Sequence, residues 1–235
     1  MNIAVISDLH LGSEDITDSF GHSDADFLRF LSFLEGNFER VVLLGDIWET
    51  LTVKCPWRAR RGLMQAKSRH PELARRFTRP RYKYIHGNHD LVAREVEGAP
   101  EHWSLDTHGK RLLFMHGHGH DRLIQRARHI VELGVCIGGW VRRAGFHGLY
   151  RRLDELDQQR SRISVDAKAC SFQAWAMSVA ARANADIVVT GHTHVPLASE
   201  HGRRMFMNSG SCSRGRFTYL ALDTRRDNYG VHHAW

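Results

Sequence analysis

Five short apolar runs in this chain end on the same kind of chemistry. Ile3 to Ile6 leads to Asp8-Leu9-His10, Val41 to Leu44 leads to Gly45-Asp46, and Tyr82 to Ile85 leads to Gly87-Asn88-His89-Asp90. Leu112 to Met115 leads to His116-Gly117-His118, and Ile187 to Thr190 leads to Gly191-His192-Thr193-His194. Each run is β-rich, strand-length and bounded by Gly, Asp, Asn or charged residues, so each is expected to be a strand. In an open α/β sheet ligands bind beyond the carboxyl ends of strands, so residues just past successive strand ends can converge. Adjacent glycines permit sharp turns and close approach to an anion. Asp, His and Asn offer oxygen and nitrogen donors to divalent ions. A lone DxH or GD reads as a turn or a capped helix; GNHD says more, and GHTH after an apolar run more still, although paired histidines can also be structural. All five in series point to a dinuclear metal site.

Met205 to Met207 and Phe217 to Leu222 extend the strand series. Between the first two runs, Phe27, Phe30, Leu31 and Leu34 keep helical spacing, with Ser23 or Asp24 as the cap. Strand, helix and strand in succession predict a βαβ unit. The Arg-rich stretch 54–80 reads as a helix–loop insertion. The stretch 121–185 holds no proline and reads as a helical insertion over or beside the sheet, divided by Gly134, Gly138, Gly139 and Gly145. The expected class is α/β, with residues 1–235 forming a single domain.

A length of 235 residues suits one sizeable core. The net charge of +7 favours anionic partners, whether nucleic acid, phosphorylated metabolites or anionic lipid. Cys55, Cys136, Cys170 and Cys212 form no CxxC pair, so they read as reduced thiols, most simply small buried apolar residues. The opening segment lacks the features of a signal peptide, and no run approaches the roughly 18 apolar residues of a membrane span. A soluble cytoplasmic protein is expected, with peripheral contact at the inner membrane surface left open. No feature sets an oligomeric state.

The series DLH, GD, GNHD, HGH and GHTH, from Asp8 to His194, resembles the calcineurin-like metallophosphoesterase family. The resemblance implies a two-sheet β-sandwich flanked by helices. It implies that Asp8, His10 and His194 bind one metal, that Asn88, His116 and His192 bind a second, and that Asp46 bridges them. It places His89 near the leaving oxygen as acid or charge stabiliser, with Asp90 either orienting His89 or serving a turn or cap. Hydrolysis would then proceed by attack of a hydroxide that the two metals hold at neutral pH. Oxygen and imidazole ligands without sulfur suit Mn²⁺, Fe²⁺, Zn²⁺ or Mg²⁺, and the resemblance favours Mn²⁺.

Within that family, ISDLHLG at 6–12, GDIWE at 45–49, GNHD at 87–90 and the helical insertion are most similar to UDP-2,3-diacylglucosamine hydrolases. Those enzymes cleave a pyrophosphate to release UMP and a lipid phosphate, so a nucleotide-linked lipid is the expected phosphorylated substrate. Ile130, Val131, Leu133, Val135, Ile137, Trp140 and Val141, flanked by arginines including Arg128 and Arg142, suit acyl chains and phosphate, or equally an amphipathic helix packed on the sheet. The chain departs from those hydrolases at His118, where they carry Asp, and over 57–80. Trp48 and Glu49 read as pocket lining or core, and Asn208 to Ser211 as a site loop or a plain turn. The alternatives are a phosphodiesterase or nuclease on another substrate, and a non-catalytic protein-binding scaffold.

Overall fold

Strand β1 (Asn2–Ile6), helix α1 (Asp24–Asn37) and strand β2 (Arg40–Leu44) form the expected βαβ unit, with β1 and β2 parallel and Ile3 level with Arg40. Ser23 caps α1: its hydroxyl accepts from the Asp26 N–H at 3.1 Å. The computed structural model describes residues 1–12, 19–51, 59–120 and 165–233. The remaining elements are α2 (Ala59–Arg69), α3 (Pro71–Phe77), β3 (Tyr82–Ile85), α4 (Val92–Glu97), β4 (His102–Thr107), β5 (Lys110–Met115), α5 (Val165–Arg182), β6 (Ile187–Thr190), β7 (Leu197–His201), β8 (Arg204–Asn208), β9 (Tyr219–Asp223) and β10 (Asn228–His232). A 3-10 turn, His118–His120, follows β5.

The strands make two mixed sheets, ordered β10-β9-β1-β2-β3 and β4-β5-β6-β8-β7. Alternate side chains divide the work. Ile3, Val5, Val42, Leu44 and Ile85 face Leu112, Phe114, Ile187, Val189 and Met207 across the gap between sheets. Ala4, Ile6, Val41 and Leu43 turn the other way, onto Phe27, Phe30, Leu31 and Leu34 of α1. Both faces of these strands are therefore buried, which explains why they read as unbroken apolar runs. On the second sheet, Phe172, Ala176 and Ala180 of α5 cover Leu113, Val188 and Phe206. The expected α/β sandwich with flanking helices is the observed architecture.

Three strands escaped the sequence reading. β4, β7 and β10 all lie at sheet edges and carry only exposed and half-buried side chains, so none contains a buried apolar run. The 54–80 stretch holds α2 and α3, an α-helical pair joined at His70. Of the 121–185 insertion, α5 is helical as expected; the apolar stretch 130–141 and its flanking arginines lie outside the described residues. Cys212 is a buried free thiol whose Sγ donates to Thr218 O at 2.9 Å. No helix among the described residues is long and apolar enough to cross a membrane.

Candidate active site

Backbone pairing continues past the strand ends and fixes the loops that carry the predicted site. Asp8 N–H donates to Gly45 O at 3.1 Å and His10 N–H to Asp46 O at 3.0 Å, so the β1 and β2 loops run in register. Gly191 N–H donates to His116 O at 3.0 Å, tying the β6 loop to the β5 loop. His89 N–H donates to Asp46 Oδ1 at 2.8 Å, bringing in the β3 loop. Gly87 lies so close to Asp46 that an added Cβ would stand 2.6 Å from the Asp46 nitrogen.

Five of the predicted ligands have left-handed backbone: Asp8 (φ 54°), His10 (53°), Asp46 (52°), His192 (69°) and His194 (57°). Asp and His tolerate this region better than most side chains, and strained backbone gathers at functional sites. These turns bring together ligand atoms in two groups, Asp8/His10/His194 and Asp46/His116/His192. Within each group the atoms lie within 4.8 Å of one another. His116 joins the groups, with Nε2 3.2 Å from Asp46 Oδ2 and 3.9 Å from Asp8 Oδ1. Its Nδ1 faces Leu44 O at 2.9 Å, which fixes the ring and leaves Nε2 toward the carboxylates.

Buried polar atoms are nearly always hydrogen-bonded. Here Asp8 Oδ1, His10 Nε2, Asn88 Oδ1 and His116 Nε2 are buried without hydrogen-bond geometry to any partner, although Asp8 Oδ1 and His116 Nε2 approach neighbouring groups closely. Orphaned oxygen and nitrogen donors in one place are what divalent cations take up, so the residues fit a pair of them. Burial opposes charge on His116, but without a cation Asp46 and Asp8 outweigh it and raise its imidazole to about 9, so this ring must release a proton to bind metal. Burial opposes charge on Asp46, yet His116 and His89 hold its carboxyl well below the usual range. Burial and His116 push the His192 imidazole down to about 4, leaving it neutral as a metal ligand must be.

Glu49 is the residue that sequence reasoning left undecided. Its buried Oε2 lies 2.8 Å from His89 Nδ1 and 3.4 Å from His10 Nδ1, and the two imidazoles meet edge to face at 4.6 Å. Burial disfavours the charged His89 ring, but Glu49 and Asp46 outweigh it and raise its pKa to about 10. The signal was present as GDIWE, a carboxylate three residues after Asp46. Trp48 is instead a core residue, packed on Phe77 at 5.9 Å.

Of the two readings of Asp90, orienting His89 or serving a turn, its hydrogen bonds are those of a turn. Asp90 accepts from the backbone N–H groups of Gly87 (2.6 Å), Ile47 (2.7 Å), Trp48 and Asp46 (both 3.3 Å) and from the Tyr84 hydroxyl (2.6 Å). It ties the β2 and β3 loops together, and its charge adds to the field that raises the pKa of the His89 ring. His118 is buried beside His116 and His86, each at 5.8 Å. His120 packs on Phe172 and Trp175 of α5. Asn208 braces the β6 loop: its Nδ2 donates to Gly191 O at 2.6 Å and Thr190 Oγ1 at 3.0 Å.

The model of the calcineurin-like phosphoesterases matches residues 1–196, most of the chain. The chain belongs to that family. No curated protein matches it significantly in sequence. Among solved structures, a Vps29 double mutant from Entamoeba histolytica is 14% identical with a TM-score of 0.50, covering 100% of this chain and 98% of that one. An archaeal phosphodiesterase is 16% identical over 100% of both chains with a TM-score of 0.46. A predicted phosphoesterase from Streptococcus pneumoniae TIGR4 is 17% identical, covering 99% of this chain and 97% of that one, with a TM-score of 0.42. At 14% identity and a TM-score of 0.50, the likeness to the Vps29 mutant is one of fold.

Proposed function

We propose that this calcineurin-like phosphoesterase is a metal-dependent phosphoester hydrolase centred on Asp8, His10, Asp46, Asn88, His116, His192 and His194. The observation that carries the reading is the pair of carboxylate–imidazole groups joined through His116. Asp8, His10 and His194 would hold one cation and Asn88, His116 and His192 the other, with Asp46 serving both. When bound, such a pair lowers the pKa of water and neutralises charge on a phosphoryl group. His89 supplies the proton. Glu49 occupies its Nδ1 side, so Nε2 is the atom left to donate to a departing oxygen. Glu49 also favours the charged ring, keeping that proton in place until it is needed.

The motifs ISDLHLG, GDIWE and GNHD support a finer reading, hydrolysis of the pyrophosphate of UDP-2,3-diacylglucosamine with Mn²⁺ as the metal, in the cytoplasm at an inner membrane surface. A phosphodiesterase acting on another substrate uses the same residues. A scaffold without catalysis has less support, because every ligand position is filled. The test incubates the purified protein and Mn²⁺ with UDP-2,3-diacylglucosamine, with Asp46→Asn as the blank. UMP release by the wild type alone is expected. No UMP from a preparation that still cleaves bis(p-nitrophenyl) phosphate overturns the substrate and leaves the hydrolase.

A further inference from the structure

Beneath Asp8 lies a run of buried hydroxyls, Ser7, Ser209, Ser211 and Ser213, that the proposed chemistry does not use. The Ser7 hydroxyl hydrogen-bonds Asp8 Oδ2 and lies 2.6 Å from Ser209 Oγ. The His192 backbone N–H also donates to Asp8 Oδ2, at 3.2 Å. Gly191 closes over the pair: an added Cβ would stand 2.7 Å from Ser7 Oγ and 2.8 Å from Asp8 Oδ2. The loop after β8 grips the same two residues through the backbone. Ser211 Oγ donates to Asp8 O at 3.0 Å and Cys212 N–H to Ser7 O at 3.1 Å.

Counting protons sets the direction of the chain. A carboxylate only accepts, so the hydroxyl facing it donates. Ser7 has one hydroxyl proton, and the carboxylate is a stronger acceptor than Gly210 O, which lies 3.2 Å away. Ser7 therefore accepts from Ser209. The other neighbour of the Ser209 hydroxyl, Thr190 O at 3.2 Å, already takes the Ser209 N–H at 2.9 Å. The two oxygens of Asp8 end up unequal. Oδ2 holds two protein donors, whereas Oδ1 is orphaned in hydrogen-bond terms and stands 3.0 Å from His194 Nε2.

We propose that Ser7 and Ser209 are positioning residues that make Oδ1 the ligand oxygen of Asp8 and hold it on the cation shared with His10 and His194. This rests on the two-cation reading above. Without the Ser7 hydroxyl, Oδ2 is no longer anchored away from the cation and the carboxylate can swing. The consequence falls on one cation and spares the other.

Calorimetric Mn²⁺ titration, with Co²⁺ absorption spectra as a second readout, tests this without any turnover assay. Ser7→Ala is expected to weaken one of the two cations roughly 10- to 100-fold and to alter its Co²⁺ spectrum, with the other unchanged. Ser209→Ala should act on the same cation to a smaller extent. The double variant should be no worse than Ser7→Ala, because Ser209 acts through Ser7. A general loss of structure would weaken both cations and would not give that non-additivity. Wild-type protein that binds two cations alongside a Ser7→Ala protein with unaltered affinity for both overturns the assignment alone. Additive losses overturn it too. If Ser7→Ala does not fold, Ser209→Ala decides: weakening of one cation supports the proposal and an unchanged titration overturns it. Wild-type protein that binds fewer than two cations overturns the two-cation reading and this assignment with it.

Discussion

Glu49 Oε2 stands between two imidazoles, 2.8 Å from His89 Nδ1 and 3.4 Å from His10 Nδ1. One buried carboxylate thus orients both the proposed proton donor and a proposed metal ligand. Glu49→Gln keeps the shape and removes the charge. It is expected to lower turnover of a phosphodiester roughly 10- to 100-fold while the protein still binds two cations. Steady-state kinetics alongside metal analysis checks this. Unchanged turnover would show that the contact is incidental.

His89→Asn should reduce turnover further, on the order of 10²- to 10⁴-fold, with metal content retained. If Glu49 acts on the proton donor through His89, adding Glu49→Gln to His89→Asn has little further effect. A second full loss in the double variant would mean that Glu49 works mainly through His10.

Asp90 is predicted to matter for folding more than for chemistry. Its carboxylate gathers four buried backbone N–H groups and the part-buried Tyr84 hydroxyl around the turns after β2 and β3. Asp90→Ala leaves those donors without their acceptor, at a cost of about 3 kcal/mol or more. Urea unfolding measures it, and a change below about 0.5 kcal/mol would contradict the role.

Four of the five strand-end motifs were legible because each follows a run buried on both faces, where unbroken apolar residues announce the element and a glycine or serine announces its end. The fifth follows β3, an edge strand half-buried at Lys83 and Tyr84, and was legible from its aromatic and β-branched residues and from GNHD itself. The βαβ unit was legible for the same reason, since Phe27, Phe30, Leu31 and Leu34 mark one helix face. Glu49 and Asp90 were harder. Both are carboxylates near the site, and spacing cannot say which faces a ring and which faces a backbone. That depends on how the β2 and β3 loops fold against each other. The Ser7–Ser209 contact joins residues far apart in sequence, and serines have too many ordinary uses to stand out. The edge strands β4, β7 and β10 were missed because half-exposed strands carry no apolar run.

Glu35 gives a pH-dependent test of stability away from the site. Arg76 grips both of its oxygens at 2.8 Å and the Tyr82 hydroxyl donates at 2.6 Å, joining α1 to α3 and β3. The Arg76 hydrogen bonds, against the pull of burial, lower its carboxyl from 4.5 to about 2. A lowered folded-state pKa means that the unfolded chain takes up the proton first as pH falls. The contribution is therefore complete above 4.5 and is lost as pH drops toward 2. Glu35→Gln should be about 1–2 kcal/mol less stable at pH 7, with the gap narrowing below pH 4.5. A gap independent of pH would contradict this.

Asp46 is proposed to serve two cations that together support phosphoester hydrolysis. The direct measurement is bis(p-nitrophenyl) phosphate turnover of metal-stripped protein as Mn²⁺ is added, with bound metal counted in the same samples, for wild type and Asp46→Asn. Activity that rises as the wild type fills to two ions per chain is predicted, with Asp46→Asn losing both turnover and metal occupancy. Full turnover by Asp46→Asn, or by wild-type protein holding no metal, would contradict it.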